Sequence, residues 1–173
     1  MAGKLVQVAT NTVSSAVASV SLTGIDSDFV YMLAISNLTP ATINADMKLR
    51  VTESGTASAD SDYDRSAKML RTDTTFSNLA DTNTDGFLIS GSLNNTDGKG
   101  FGCIVYIYNA NNSSEYTYTT HETAYMSEDL TTLLGIQGGG VYTQTTAVDG
   151  VNITMVGPTS DIQSGTLTLF KVV

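Results

Sequence analysis

Phe101-Gly102-Cys103-Ile104-Val105-Tyr106-Ile107-Tyr108 is the stretch on which the fold turns. It is rich in β-branched and aromatic residues and reads as the most strand-like segment of the chain. Cys103, flanked by Gly102, Ile104 and Val105, fits a buried strand in which a thiol serves as a small apolar filler. Just upstream, Asn94-Asn95-Thr96-Asp97-Gly98 carries the Asp-Gly turn signal, so a hairpin is expected here.

Towards the N-terminus the same period continues. The glycine-bracketed run Gly86-Phe87-Leu88-Ile89-Ser90-Gly91 reads as a short apolar strand, and Thr72 to Asp85 as a polar loop. Tyr63 to Leu70 suits either a short helix or a strand, with strand preferred. Met47, Leu49 and Val51 alternate with Lys48, Arg50 and Thr52, giving a strand with one wet face. Phe29 to Ser36 is apolar on both sides, as a central strand should be, and Pro40 stops it. Leu5 to Leu22 holds one or two further strands.

Towards the C-terminus, Glu115 to Tyr125 is a Tyr and Thr ladder. Met126 to Ile136 fits one helical turn or a loop, and Gly138-Gly139-Gly140 a sharp bend, with strands resuming at Val141. Val148 to Met155 and Gly165 to Val173 complete a series of about eight to ten short strands with no long helix. The expected fold is all-β: an antiparallel, jelly-roll-like β-sandwich. Residues 1–173 form one domain, with 1–12 as an N-terminal arm or edge strand that pairs at a sheet edge or reaches a neighbour.

Composition narrows the function. Eight Lys and Arg stand against 17 Asp and Glu, a formal net charge of −9, which disfavours a phosphate backbone as partner because nucleic-acid affinity is drawn from basic residues. Lys4 is followed by no sustained apolar run, so neither a signal peptide nor a membrane span is expected. Cys103 is the lone cysteine and makes no internal disulfide.

Chemistry is sparse. His121 is the single histidine, which excludes a multi-histidine metal site and makes it the necessary centre of any Ser/His/Asp triad with Ser113, Ser114 and Asp129. It reads as a surface residue of the ladder. Glu115, Glu122 and Glu128 offer carboxylate pairs, but their separation is not encoded in sequence. Asp81-Thr82-Asn83-Thr84-Asp85-Gly86 has the oxygen ligands of half a Ca²⁺ loop (Asp81, Asn83, Asp85), yet Ser92 stands where the bidentate Glu belongs. Asp60-Ser61-Asp62-Tyr63-Asp64 alternates carboxylates without the glycine. Neither catalytic residues nor a cofactor are therefore expected, and Ca²⁺ is the lone metal candidate. Tyr116, Tyr118 and Tyr125, with Tyr106 and Tyr108, are either ordinary cross-strand sheet residues or a candidate recognition surface, suited to subunit contacts, the preferred use, or to stacking on sugar rings.

The ending Ala147-Val148-Asp149-Gly150-Val151-Asn152-Ile153-Thr154-Met155, then Ile162-Gln163-Ser164-Gly165-Thr166-Leu167-Thr168-Leu169-Phe170-Lys171-Val172, resembles the closing hairpin of tailed-bacteriophage virion proteins. Ser14 to Leu22 followed by Phe29-Val30-Tyr31, and Tyr63 to Leu70 followed by a Ser/Thr-rich loop, are also similar to that group, whereas Phe170-Lys171-Val172-Val173 departs from its usual Tyr-Gly ending. The resemblance implies a jelly-roll sandwich, often a homotrimer, without catalytic residues. It implies a virion location, among proteins that decorate capsids or form fibre and tail parts. With neither heptads nor a stalk repeat in the sequence, a capsid decoration or cement protein made in the host cytoplasm and bound to the major capsid protein or other virion proteins is the preferred expectation. A tail-fibre tip that recognises host glycans is the alternative, and a polysaccharide-degrading sandwich enzyme a distant third.

Overall fold

Alternating burial organises the chain into two antiparallel sheets. The structure, a computed structural model, describes residues 3–157 and 160–173. Among them are thirteen strands: β1 Leu5–Val13, β2 Ser19–Thr23, β3 Tyr31–Pro40, β4 Asp46–Glu53, β5 Thr56–Ala57, β6 Tyr63–Arg71, β7 Ser77–Thr84, β8 Phe87–Leu88, β9 Phe101–Tyr108, β10 Thr117–Met126, β11 Leu133–Tyr142, β12 Gly150–Val156 and β13 Ile162–Val172. The large sheet has eight strands in the order β1-β13-β3-β9-β10-β11-β6-β7, and the small one runs β2-β12-β4-β5 with β8 paired to β4.

Within this arrangement β1-β13-β3-β9 faces β2-β12-β4-β5, and the connections pass from one sheet to the other as in a jelly roll. The core lies between them. Tyr31, Leu33 and Ile35 of β3, Val105 and Ile107 of β9, and Leu167 and Leu169 of β13 point inward against Leu49 and Val51 of β4 and Ile153 of β12. Burying each such aliphatic side chain is worth about 1.5–3 kcal/mol.

The remaining strands of the large sheet, β10, β11, β6 and β7, extend it beyond the jelly-roll frame. Their inner side is covered by the segment around β8, whose Phe87, Ile89 and Leu93 are buried. Phe87 packs edge-on against Tyr63, ring centroids 4.9 Å apart at 87°. Ile89 donates its amide to the Met47 carbonyl at 2.9 Å, and Leu93 bridges Ala45 and Ser127, so the cover is stitched to both sheets.

Several sequence expectations change. Thr72 to Asp85 is no simple loop, because Ser77–Thr84 forms the edge strand β7. Thr96 to Lys99 does turn, with Gly98 at φ 73° and the Lys99 amide on the Thr96 carbonyl at 3.1 Å, but no hairpin results. β8 is claimed by β4 and β9 by β3 and β10, in different sheets. Met126 to Ile136 holds a tight turn, Ser127 to Thr132, followed by the start of β11. Gly138-Gly139-Gly140 does not bend; it runs inside β11 with no positive φ. The last two strands are not a hairpin either, since β12 lies in the small sheet and β13 in the large one. The N-terminal segment is the edge strand β1, paired with β13; Met1 and Ala2 lie outside the described residues.

Candidate functional site

β10 places its side chains alternately on the two faces of the large sheet. Thr117, Thr119, His121, Thr123 and Tyr125 point inward and are buried, whereas Tyr118, Thr120, Glu122 and Ala124 point to solvent. This parity divides the tyrosine candidates. Tyr118 is 47 % and Tyr116 42 % exposed, but Tyr125 is buried, which corrects its assignment to a recognition surface. Its ring packs 5.5 Å from that of Phe101, its hydroxyl accepts the Gly91 amide at 3.0 Å, and burial pushes its pKa up to about 12.

The same parity corrects His121, which is buried and not a surface residue. Burial, together with the charge of Arg65, lowers its pKa to about 4, and its Nε2 has no hydrogen-bond partner among the described residues. A triad is not assembled around it. Ser113 and Ser114 lie in the loop before β10, while Asp129 sits in the turn after it, where Ser127 and Thr131 bind its carboxylate and hold its pKa at about 2. Cys103 is buried, and desolvation raises its thiol pKa.

The Ca²⁺ candidate comes apart for a clear reason. Asp81 turns inward from β7 and pairs with buried Arg65 at 2.5 Å, while Asp85 is clasped by Lys48 at 2.5 Å and by Arg50. Those two cations hold the Asp85 carboxyl below its usual range. Asn83, at φ 54°, gives its amide to Asp64. The oxygens that would face a cation are thus spent on basic side chains, and the described residues contain no cluster of three or more potential metal-ligating His, Cys, Asp or Glu. Asp60, Asp62 and Asp64 are likewise not brought together as a site.

What the fold does assemble is the outer face of the large sheet. Pairing aligns its outward residues in rows across the strands. One row is Tyr108, Tyr118, Val141 and Asp64; the next is Tyr106, Thr120, Gly139, Ser66 and Ala80. A third is Ile104, Glu122, Gln137, Lys68 and Asn78, and a fourth Gly102, Ala124, Gly135 and Leu70. By the alternation of each strand, Asp64, Lys68 and Glu122 are the charged residues that face outward from its eight strands. In a chain with 17 acidic residues, this depletion leaves a face of Tyr, Thr, Gly and aliphatic groups.

Shallow hollows cross it. Ile104, Tyr106, Tyr108, Thr120, Glu122 and Gln137 line one of about 460 Å³. Asp64, Ser66, Thr82, Tyr118, Gly139 and Val141 help to line another of about 520 Å³. Gln137 donates its side-chain amide to Glu122 at 2.7 Å, while Lys68 forms no ion pair among the described residues. The glycines of β11 are demanded by packing. A Cβ at Gly138 would lie 2.3 Å from the Ala67 Cβ, and one at Gly140 2.4 Å from the Phe87 ring.

The described residues include no helix long and apolar enough to cross a membrane. No family model matches the chain, and no curated protein matches it. Among solved structures it is similar to a fructofuranosidase from Schwanniomyces occidentalis in complex with fructosylnystose, at 7 % identity and a TM-score of 0.25, over 97 % of this chain and 34 % of that one. The chain thus spans about a third of that enzyme's length, and at such a score neither its fold nor its sugar chemistry transfers.

Proposed function

We propose that the chain is a non-enzymatic structural protein of a tailed-bacteriophage particle, a capsid decoration or cement protein that binds other copies of itself and the major capsid protein. The observation that carries this reading is the charge-depleted outer face of the large sheet, whose eight strands turn outward only the charges of Asp64, Lys68 and Glu122. A net charge of −9 keeps copies apart in solution, and the face with few charges is where close approach costs least. Stabilisation of a shell needs only a few kcal/mol per copy when contacts are repeated by symmetry. The likeness of the chain's ending to that of phage virion proteins supports the same assignment.

A tail-fibre tip or receptor-binding module for host glycans is the second reading. It is favoured by one specific feature, the hollow where Tyr106 and Tyr108 stand beside the hydrogen-bonded Glu122 and Gln137, because aromatic faces with planar polar groups suit sugar rings.

Copy number separates them. Quantitative mass spectrometry of purified particles should find this chain in the same order of abundance as the major shell protein. A handful of copies would transfer the assignment to the fibre, and complete absence would remove the virion role.

A further inference from the structure

The outer face is self-complementary about its middle strand. In the block β9-β10-β11-β6-β7, β11 is central, and residues equally far from it in the same row match in chemistry. Glu122 on β10 and Lys68 on β6 both flank Gln137. Tyr118 and Asp64 both flank Val141, a phenol opposite a carboxylate. Thr120 and Ser66 flank Gly139, and Ala124 and Leu70 flank Gly135. One strand further out, bulky Ile104 and Tyr106 of β9 hold the positions that Asn78 and Ala80 occupy on β7.

We propose that this face is closed by a second copy of the chain, related by a two-fold axis lying in the interface along β11. Rotation about such an axis exchanges the two sides of β11 and keeps each row in place. Glu122 of each copy then meets Lys68 of the other, Tyr118 meets Asp64, and Ile104 and Tyr106 of β9 settle on Asn78 and Ala80 of β7. Gly135 and Gly139 let the two backbones approach at the axis.

Charge and area both point to a second copy over other occupants. The three charges on the face find opposite charge or a hydroxyl donor under this operation, which relieves the repulsion between two chains of −9. Five strands about 4.8 Å apart and four rows about 6.8 Å apart give a footprint of roughly 650 Å² before side-chain relief. A standard interface needs about 800 Å² per partner, so the pair is near that size. Aligned sheets about 10 Å apart leave a span that a glutamate and a lysine can bridge.

The inference rests on reading this face as an assembly surface, but it specifies a pair where the phage resemblance implies a trimer. Sedimentation of the wild-type chain across the micromolar range should give a dimer. Glu122→Lys and Lys68→Glu should each weaken it by about tenfold or more, because each places like charges at two symmetry-related contacts. The double variant should restore it, with circular dichroism confirming that all variants are folded. A monomeric or trimeric wild type overturns the pairing, and so does a dimer indifferent to the charge reversals or not restored by the double exchange. Absence from particles alongside a charge-sensitive dimer would instead remove only the virion role.

Discussion

The Arg65 guanidinium meets the Asp81 carboxylate at 2.5 Å across the β6–β7 pair, with 7 % of the arginine side chain exposed. A second guanidinium nitrogen donates to the Leu88 carbonyl, which ties the covering segment to the sheet extension. Asp81 is a third exposed, so water partly screens the pair. Asp81→Asn should therefore cost about 2 kcal/mol in urea unfolding, below the 3–5 kcal/mol typical of breaking a fully enclosed pair. Unchanged stability would mean that Arg65 is neutralised some other way.

The same pairing settles what Ca²⁺ should do. With Asp81 held by Arg65 and Asp85 by Lys48 and Arg50, a cation would have to displace three basic side chains to gather Asp81, Asn83 and Asp85. Adding millimolar Ca²⁺, or stripping it with EDTA, should leave the thermal midpoint unmoved. A rise with Ca²⁺ that Asp85→Asn abolishes would restore the loop as a metal site.

Glycine in β11 is a packing requirement, and that is testable by methyl addition. Gly138→Ala puts its Cβ 2.5 Å from the Ser66 carbonyl oxygen as well as against Ala67, so backbone must move. It should destabilise by about 1–3 kcal/mol, as overpacked core sites do. Gly102→Ala, whose Cβ would meet nothing closer than the Ala124 carbonyl at 3.9 Å, should be tolerated. Equal melting of the two variants would refute the close packing of β11.

These glycines also show why part of the fold was hidden in the sequence. The central strands were legible because β3 and β9 bury apolar residues in a short period. β11 was not, since a run of three glycines reads as a break until Ala67 and Phe87 are seen to fill the space above it. β7 is an edge strand with one solvated and one half-covered face, so no apolar alternation marks it. The inward face of β10 is Thr117, Thr119, His121, Thr123 and Tyr125, more polar than apolar, and for that reason sequence alone points His121 and Tyr125 to the exposed side of the ladder. The outer face was half visible through Tyr118. Glu122 and Lys68 become related only once β11 is placed between β10 and β6, a long-range pairing that no local pattern announces.

The buried histidine predicts an acid-sensitive window. His121 is the single histidine, 3 % exposed, and the fold keeps it neutral, with its pKa lowered from 6.5 to about 4 by burial and by the nearby charge of Arg65. Between those values the unfolded chain binds a proton that the folded chain refuses, so stability falls as pH drops from about 6.5 towards 4. The full difference amounts to about 3 kcal/mol, from a shift of this size at 1.36 kcal/mol per pH unit. Depressed carboxylates act in another range: Asp26 and Asp129, each held at about 2, contribute stability that is present above their unfolded value and lost only as pH falls through their folded one. Urea unfolding measured from pH 7 to 4.5 should show the loss in the wild-type chain and a much flatter profile in His121→Gln. If the two profiles run parallel, the acid response arises elsewhere and the neutral, buried state of His121 is wrong.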